Sequence, residues 1–348
     1  MRHGVIYALA AAALFGASTP LAKSLVGDMH PLVLAGLLYA GSGCGLVFVL
    51  GLRRLRAGAG FTVAWPTRRD LGWLGGAILT GGVAGPVLLM FGLTSTPAAT
   101  ASLLLNLEAV LTALIAWFVF RENFDRRIAL GMALIVAGGV VLSWAPASAA
   151  LVRGALFVAA ACLCWALDNN LTRKVAANDA VVIAGLKGLV AGGVTLSLAL
   201  GLGYSLPATG RIAAAAAVGF LGYGVSLVLF VLALRHLGTA RTGAYFSVAP
   251  FFGAVLAVWI QHEAVTLELA AAGALMAIGV WLHLAERHEH EHAHERAAHA
   301  HMHRHDVHHR HDHDFTWDGS EPHAHPHVHA SMRHRHAHFP DIDHRHSH

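Results

Sequence analysis

HGVIYALAAAALFGASTPLAK, residues 3–23, aligns without gaps with RGALFVAAACLCWALDNNLTR, residues 153–173. The match continues beyond these runs. The next apolar stretch of each copy shares an Ala-Gly-Leu triplet, and the fourth stretch closes with Glu122 in the first copy and Glu263 in the second. A long internal repeat is the signature of duplicated structural units. The sequence therefore predicts two related halves.

The composition indicates a membrane protein. Of the residues, 56% are hydrophobic and 13% are charged, with a mean hydropathy of +0.56, whereas a soluble domain has roughly a quarter charged residues. A transmembrane helix needs about 20 largely apolar residues. Ten stretches meet this need: residues 4–25, 31–52, 70–92, 97–120, 127–145, 152–173, 180–203, 211–234, 238–261 and 267–285.

Each half carries five spans, and because five is odd the two halves must insert in opposite orientations. We predict an all-α polytopic membrane protein whose ten transmembrane helices form two inverted five-helix repeats, residues 1–145 and 146–286. Inverted repeats place a substrate site near the membrane midplane, between the halves. Residues 287–348 form a histidine-rich tail with too few apolar residues to fold alone, so we expect it to be disordered without metal.

The positive charges predict the orientation of the spans. With the N-terminus in the cytoplasm, the cytoplasmic segments before the tail hold thirteen arginines and lysines, and the opposite segments hold only Lys23, Arg153 and Arg211. Cytoplasmic loops are enriched in Lys and Arg. We therefore expect an integral protein of the plasma (inner) membrane with both termini in the cytoplasm.

Two parts of the sequence resemble a known family. VAPFFGA at residues 248–254, Glu263 and GALMAIGV at residues 273–280 are similar to the EamA-type drug/metabolite transporters, as are Glu122 and GMALIVAGGV at residues 131–140. The resemblance covers residues 4–285. It implies a ten-helix exporter or importer, driven by a proton gradient or by exchange. The first half departs from the pattern, since helix four has Ala109, preceded by Glu108, where helix nine has Pro250.

Polar side chains occur inside three predicted spans. They are Asn106 and Glu108 in span four, Asp168, Asn169 and Asn170 in span six, and Lys187 in span seven. An ionisable group within the membrane is costly and usually faces a partner or a cavity. Asp168 and Lys187 are each about ten positions from the turn between spans six and seven, so they reach a similar depth, roughly 14 Å from it. We predict an ion pair between them.

These groups allow two interpretations. In the first, Asp168 and Lys187 are a neutral packing pair and Glu108 is a protonated carboxyl bonded to Asn106. In the second, they line a substrate or proton pathway, and Glu108 alternates between its protonated and charged states. Pro20, Pro86 and Pro250 are expected to interrupt spans one, three and nine, and Pro86 and Pro250 are candidate gating points.

The tail holds 22 of the 27 histidines. Imidazole binds Zn, Ni, Co and Cu, and the tail offers many competing sites without a fixed geometry. The candidate ligands are His288, His290, His292, His294, His301, His303, His305, His308, His309, His311 and His313. A cytoplasmic metal buffer or sensor and a polar, pH-responsive tail both fit this composition.

The patterns favour a secondary transporter that exports a small metabolite or drug-like solute, with proton coupling as the expected energy source. The alternative is a divalent transition-metal exporter, or a metal-responsive transporter, that uses the tail. Residues 4–285 contain no Ser/His/Asp set, HExxH or Walker loop, so we predict no enzyme and no required cofactor. The expected partners are the lipid bilayer, a small-molecule substrate and metal ions at the tail. A nucleic-acid partner is not expected, and the oligomeric state is open.

Overall fold

The structure is a computed structural model, and it describes residues 2–57, 65–120, 126–144, 149–175, 178–237 and 239–284, together with four strands in the tail. The chain divides into two compact units, Met1–Ala285 and Glu286–His348. They are described separately.

The first unit consists of fourteen α-helices that form ten successive spans in the described residues. Seven spans are long and apolar enough to cross a membrane, and three have shorter apolar helices. The helices are α1 (Arg2–Val26), α2 (Pro31–Ala57), α3 (Leu71–Ala77), α4 (Gly85–Ser95), α5 (Ala98–Leu104), α6 (Leu107–Phe120), α7 (Arg126–Trp144), α8 (Ala149–Thr172), α9 (Ala180–Gly201), α10 (Thr209–Gly219), α11 (Ser226–Leu237), α12 (Thr239–Phe246), α13 (Ala249–Gln261) and α14 (Leu267–Leu284).

Spans three and eight each contain a π-helical segment. Ile78–Ala84 joins α3 to α4, and Phe220–Val225 joins α10 to α11. The two segments occupy matching positions of the two halves, about 141 residues apart. A π-turn adds a residue to the helix and frequently marks a functional site. The repeat therefore preserves an irregularity of the backbone as well as the order of the spans.

Spans four and nine are each broken into two helices. The first break lies at Leu105–Asn106, between α5 and α6, and the second at Ser247–Val248, between α12 and α13. Backbone groups freed at such a break must be satisfied by protein or water. At the first break the Asn106 side chain donates to the Leu103 carbonyl at 3.0 Å.

Two of the three prolines lie where the α-helix of their span is interrupted. Pro86 lies in the first turn of α4 and Pro250 in the first turn of α13. Proline suits the start of α13 because its missing N–H would have no helical partner there. In span three the helix continues through the π-helical segment into α4, so Pro86 withholds an N–H from the carbonyls before it. The prediction that Pro20 interrupts span one is wrong, because α1 runs without a break from Arg2 to Val26.

Small residues allow the two halves to approach closely. In the contact of α2 with α9, a Cβ on Gly188 would clash with the backbone of Gly43, and a Cβ on Gly192 with that of Ala40. Between α7 and α14, a Cβ on Gly138 would lie 2.8 Å from the Met276 side chain. Helices in lipid have no hydrophobic driving force for association, so close packing at small residues holds them together instead. Each of these contacts joins one half to the other.

In the second unit the described residues form four short strands. Strand β1 (Glu289–His294) pairs antiparallel with β4 (Met332–Ala337), and β2 (Ala297–His303) pairs antiparallel with β3 (His323–His329). This pairing differs from the expectation of a disordered tail. The alternation of histidine with other residues has the period of a β-strand, which permits extended pairing.

Candidate functional site

The predicted ion pair between α8 and α9 is present. Lys187 Nζ lies 2.5 Å from Asp168 Oδ1 and 2.7 Å from Asp168 Oδ2. One turn further along α8, the Thr172 hydroxyl donates to Asp168 Oδ1 at 2.7 Å. Asp168 and Lys187 are both buried. Because either charge alone would be costly at this depth, the two are accommodated as a neutral unit.

Asp168 packs directly on the π-helical segment of span three. A Cβ on Gly81 would overlap the Asp168 carboxylate, and it would lie 2.5 Å from Asp168 Cβ. Any side chain at position 81 would therefore push α8 away from span three. Glycine is required here so that the two backbones can approach each other.

The Gly81 carbonyl accepts hydrogen bonds from two side chains instead of from a backbone N–H of its helix. In an α-helix this carbonyl would accept from the Gly85 N–H, but that N–H bonds to the Thr80 carbonyl instead. The next residue, Pro86, has no N–H to offer. The Tyr39 hydroxyl donates to the Gly81 oxygen at 2.7 Å and Trp165 Nε1 donates at 3.0 Å. These two bonds tie α2 and α8 to the π-turn.

The matching position of the other half has the same backbone contact without the charges. Gly222 lies in the π-helical segment of span eight, and a Cβ there would lie 2.5 Å from Ser18 Cβ. Ser18 stands at the repeat position of Asp168 and donates its hydroxyl to the Phe15 carbonyl at 2.6 Å. Leu38, fully buried, stands at the repeat position of Lys187.

Glu108 lies in the first turn of α6, just after the break in span four. Asn169 of α8 donates its amide to Glu108 Oε1 at 2.8 Å, and the same nitrogen lies 3.5 Å from the Thr112 hydroxyl. Asn169 is exposed, while Glu108 and Thr112 are half-buried. Polar side chains at membrane depth face water or protein rather than lipid. We therefore expect an opening to water beside the exposed Asn169, at the contact of α6 with α8.

The opposite side of α6 is apolar. A groove of about 620 Å³ between α6 and α7 is lined by Val110, Leu114, Trp117, Ala129, Met132, Ala133, Val136 and Ala137. These side chains offer few polar contacts to a solute, and the groove suits a lipid chain. The polar chemistry of α6 is thus confined to the side that faces α8.

Aromatic side chains join several helices beside the polar residues. The Phe15 ring lies 6.4 Å from Trp165, 5.9 Å from Tyr223 and 5.4 Å from Phe246, measured between ring centroids. Phe15 and Trp165 occupy the same position of the two repeats. Trp165 also lies one helical turn before Asn169 on α8. The Trp165 ring is buried, and it links this aromatic cluster to the helix that carries Asn169.

The predicted site residues fall into two groups. Glu108, Asn169, Asp168 and Lys187 form one region, since Glu108 also interacts electrostatically with Asp168. Asn106 and Asn170 instead bond to backbone carbonyls of their own helices. The expectation that Glu108 bonds to Asn106 is wrong, because the break in span four turns Asn106 toward the Leu103 carbonyl.

Three contributors to this region are not among the predicted site residues: Gly81, Tyr39 and Trp165. Their link depends on a carbonyl that a π-turn releases, and a hydropathy pattern cannot show a π-turn. One signal was available. Two glycines lie close together at the matching positions of the two spans: Gly81 and Gly82 in span three, and Gly222 and Gly224 in span eight.

The candidate metal ligands are only partly described. His290, His292 and His294 lie on β1, and His301 and His303 lie on β2. His288, His305, His308, His309, His311 and His313 lie outside the described residues. Among the residues that the structure describes, no three His, Cys, Asp or Glu side chains are grouped as a metal site.

Two consecutive parts of the chain, residues 2–144 and 152–285, match the EamA-like transporter family. The chain belongs to this family. Its membership confirms the resemblance in the sequence and the two-repeat architecture. Members of the family are integral membrane transporters rather than enzymes.

Two relatives have similar sequences over most of their length. An uncharacterized transporter of Methanothermobacter thermautotrophicus is 31% identical over 293 residues, which cover 80% of this chain and 85% of the relative. A probable terminal-alkyne amino-acid exporter of Streptantibioticus cattleyicolor is 30% identical over 237 residues, which cover 67% of this chain and 76% of the relative.

One solved structure, described as the crystal structure of a protein, has the same fold. It superposes with a TM-score of 0.60 at 23% identity and covers 80% of this chain and 96% of its own. At this level of identity the likeness shows the fold alone.

Proposed function

We propose that this EamA-like transporter exports a small metabolite or drug-like solute across the plasma membrane in exchange for protons, with Glu108 as the group that binds the proton. The observation that carries the proposal is the contact of Glu108, from the first half, with the exposed Asn169, from the second half. Rocking of inverted repeats alters contacts between the halves. A carboxyl group at such a contact can couple its protonation to that motion.

The surroundings of Glu108 suit both of its protonation states. Its place in the first turn of α6 favours the charged form, because a helix N-terminus stabilises negative charge. The Asn169 amide donates to the same carboxyl at 2.8 Å. Half-burial within the membrane favours the neutral form. These opposing influences are those that a reversible proton site needs.

Export is supported by the relative that is 30% identical and carries the name of an amino-acid exporter. The charge distribution of the loops supports cytoplasmic termini. Pro86 and Pro250 are proposed gating points because each begins a helix next to an irregular backbone segment. A reporter fused after residue 284 would test the orientation, and periplasmic activity would contradict it.

The geometry favours an organic solute over a metal ion. Within the described part of the membrane unit, Asp168 is paired with Lys187, and Glu108 is not grouped with two further His, Cys, Asp or Glu side chains that could hold a metal ion. The tail is proposed separately as a transition-metal buffer. Deleting residues 288–348 should lower the metal tolerance of cells that produce the protein, while solute transport continues. Unchanged tolerance would contradict a role of the tail in metal handling.

Transport by the purified protein tests the proposal directly. Proteoliposomes containing the wild type should accumulate or release at least one solute of a panel of amino acids, amines and small drugs, and empty liposomes should not. Glu108→Gln should lose most of this flux under a pH gradient. Glutamine keeps an oxygen for the Asn169 bond, so the variant should fold. Equal flux in protein-containing and empty liposomes for every solute would contradict the proposal.

A further inference from the structure

The polar region of the membrane unit has an uneven balance of charge. Lys187 is held by both oxygens of Asp168 and lies 3.3 Å from the Thr172 hydroxyl, so this pair carries no net charge. Glu108 meets only the neutral amide of Asn169 among its described hydrogen-bond partners. With Glu108 ionised, the region as a whole has one excess negative charge.

That negative charge is accessible. The Asn169 side chain is exposed and Glu108 is half-buried, whereas Asp168 and Lys187 are both buried. A solute that enters between α6 and α8 therefore meets the carboxylate of Glu108 and the polar groups of Asn169 and Thr112. Lys187 is already bound and cannot serve an anionic solute without leaving Asp168 buried and unpaired.

Aromatic side chains lie one helical turn from Asn169, the residue that binds this carboxylate. Trp165 stands one turn before Asn169 on α8, and its ring lies 6.4 Å from Phe15. Pockets that combine aromatic side chains with one charged group recognise solutes that have an apolar body and one opposite charge.

We propose that the transported solute carries a protonated amine, whose ammonium group binds Glu108 while its apolar part lies toward Trp165 and Phe15. This substrate class rests on the proposed transport function. It adds a condition that the function does not require, namely a positive charge on the solute.

A matched series of three solutes tests this condition: an arylalkyl primary amine, its N-acetyl derivative and the corresponding carboxylic acid. Binding to the full-length protein in nanodiscs should be measured by calorimetry. The amine should bind at least tenfold more tightly than the other two. Glu108→Gln should remove that preference, and Glu268→Gln, at the start of α14 and away from the site, should retain it.

Equal or tighter binding of the acetylated compound or of the acid would overturn the proposal. So would failure of the amine to bind at millimolar concentration. If the same preparation then transports an uncharged or acidic solute, the proposed transport function holds and only the requirement for an amine fails. Loss of all transport in the solute panel would contradict the function itself.

A second, independent observation concerns the opposite end of the membrane unit. Glu263 follows α13 and bonds to the first amides of α5, with Oε1 2.6 Å from the Ala98 nitrogen and Oε2 2.9 Å from the Ala99 nitrogen. His262, between α13 and Glu263, has φ of 53°, in the left-handed region. This conformation is uncommon for a residue other than glycine. It turns the chain so that Glu263 reaches α5.

Further polar contacts reinforce this closure. Lys23, near the end of α1, donates to the Leu93 carbonyl and interacts electrostatically with Glu263. Gln261 donates to the Pro20 carbonyl at 2.8 Å. All of these bonds surround the junction of α1, α4, α5 and α13. Glu263 and Gln261 belong to the second half and their partners to the first.

This end lies far from the opening at Asn169. A Cβ on Gly154, near the start of α8, would meet the Thr96 and Ser95 side chains, which lie next to Ala98. Asn169 is 15 residues further along α8, a distance of roughly 22 Å at the α-helical rise. The halves are therefore bonded together at one end, the closed end, and the exposed Asn169 lies toward the other.

We infer that the Glu263 carboxylate is the latch of the closed end and that it must release the α5 amides when the transporter opens there. Alternating access requires such contacts to form and break between the halves. Glu263→Gln removes the charge but retains one acceptor, so it should weaken the latch without removing the loop.

Cysteine labelling tests the latch. Thr19, buried and one turn before Lys23, is replaced by cysteine in a protein whose native cysteines, Cys44, Cys162 and Cys164, are alanine. Labelling by a membrane-impermeant maleimide from the closed end should be at least fivefold faster with Glu263→Gln than without it. Glu268→Gln should leave the rate unchanged. An unchanged rate in Glu263→Gln, with solute transport intact, would overturn the latch.

Discussion

The two halves of the membrane unit share a backbone but differ in chemistry. Each has a π-helical segment at the same position, with Gly81 packed against Asp168 in one case and Gly222 against Ser18 in the other. A Cβ atom added to either glycine would lie 2.5 Å from the Cβ of the residue that faces it. The ion pair with Lys187 has only an uncharged counterpart in Ser18 and Leu38. Close packing thus belongs to the fold, whereas the charges are an addition to one half.

The largest effect is expected when the ion pair is broken on one side. Lys187→Ala leaves Asp168 buried without a partner and should destabilise the protein by about 3–5 kcal/mol. The double variant Asp168→Ser with Lys187→Leu copies the other half and should recover most of that loss. Denaturant unfolding in detergent micelles measures the free energy of unfolding of both variants.

Transport by the double variant separates the two roles of the pair. We expect it to fold and to transport at least tenfold more slowly than the wild type, because the polar region has lost the Asp168–Lys187 pair beside Glu108. Wild-type flux in the folded double variant would show that Asp168 and Lys187 only pack.

Next in size are alanine substitutions of the two glycines. Gly81→Ala and Gly222→Ala each force a methyl group into a tight helix contact, which costs about 1–3 kcal/mol. Gly81→Ala should be the more severe, since it also overlaps a carboxylate that Lys187 holds in place. Thermal unfolding of the two variants measures the difference. A smaller loss of thermal stability in Gly81→Ala than in Gly222→Ala would contradict this difference between the two halves.

The donors to the Gly81 carbonyl should have smaller effects. Tyr39→Phe and Trp165→Phe each remove one hydrogen bond, worth about 0.5–1.5 kcal/mol. Together they leave a buried carbonyl unpaired, so their combined loss should exceed the sum of the single losses. Tyr204→Phe, in the loop after α9, is the matched control and should have no effect. Strict additivity would contradict a shared acceptor.

The smallest effect concerns the loops at repeat-related positions. Asp70 accepts from the Thr67 amide and hydroxyl and lies 3.4 Å from Asn178 Nδ2, and Arg211 lies 3.1 Å from Asp28. The bonds from Thr67 hold the pKa of Asp70 below its usual value. The stability they add is present above the ordinary carboxyl pKa and lost as the pH falls through the lowered one.

Unfolding measured from neutral to acidic pH checks this. The small stability advantage of the wild type over Asp70→Asn should disappear at the acidic end of the range. An advantage that grows on acidification would contradict the direction of the pKa change.

The sequence predicted the span order, the repeat and the Asp168–Lys187 pair because each depends on helical periodicity and chain reversal. Depth within a helix pair follows from counting residues, so two charges equally far from a turn can be matched. The break in span four could not be foreseen in this way. It redirects Asn106 to the Leu103 carbonyl and leaves Glu108 to Asn169 of the other half.

The contacts between distant segments were also beyond the sequence. The Glu263 carboxylate reaches the Ala98 amide 165 positions away. In the sequence, Glu263 was visible only as the residue that ends the fourth apolar stretch of its repeat. The left-handed turn at His262 could not be predicted either, because only a small share of non-glycine residues adopt this conformation.

The pH dependence of solute flux in proteoliposomes tests the central role of Glu108 most directly. Wild-type flux should rise or fall through one protonation step as the pH on the accessible side is varied. Glu108→Gln should give a low flux that does not respond to pH over the same range. A pH profile of the variant that matches the wild type would contradict proton coupling through Glu108.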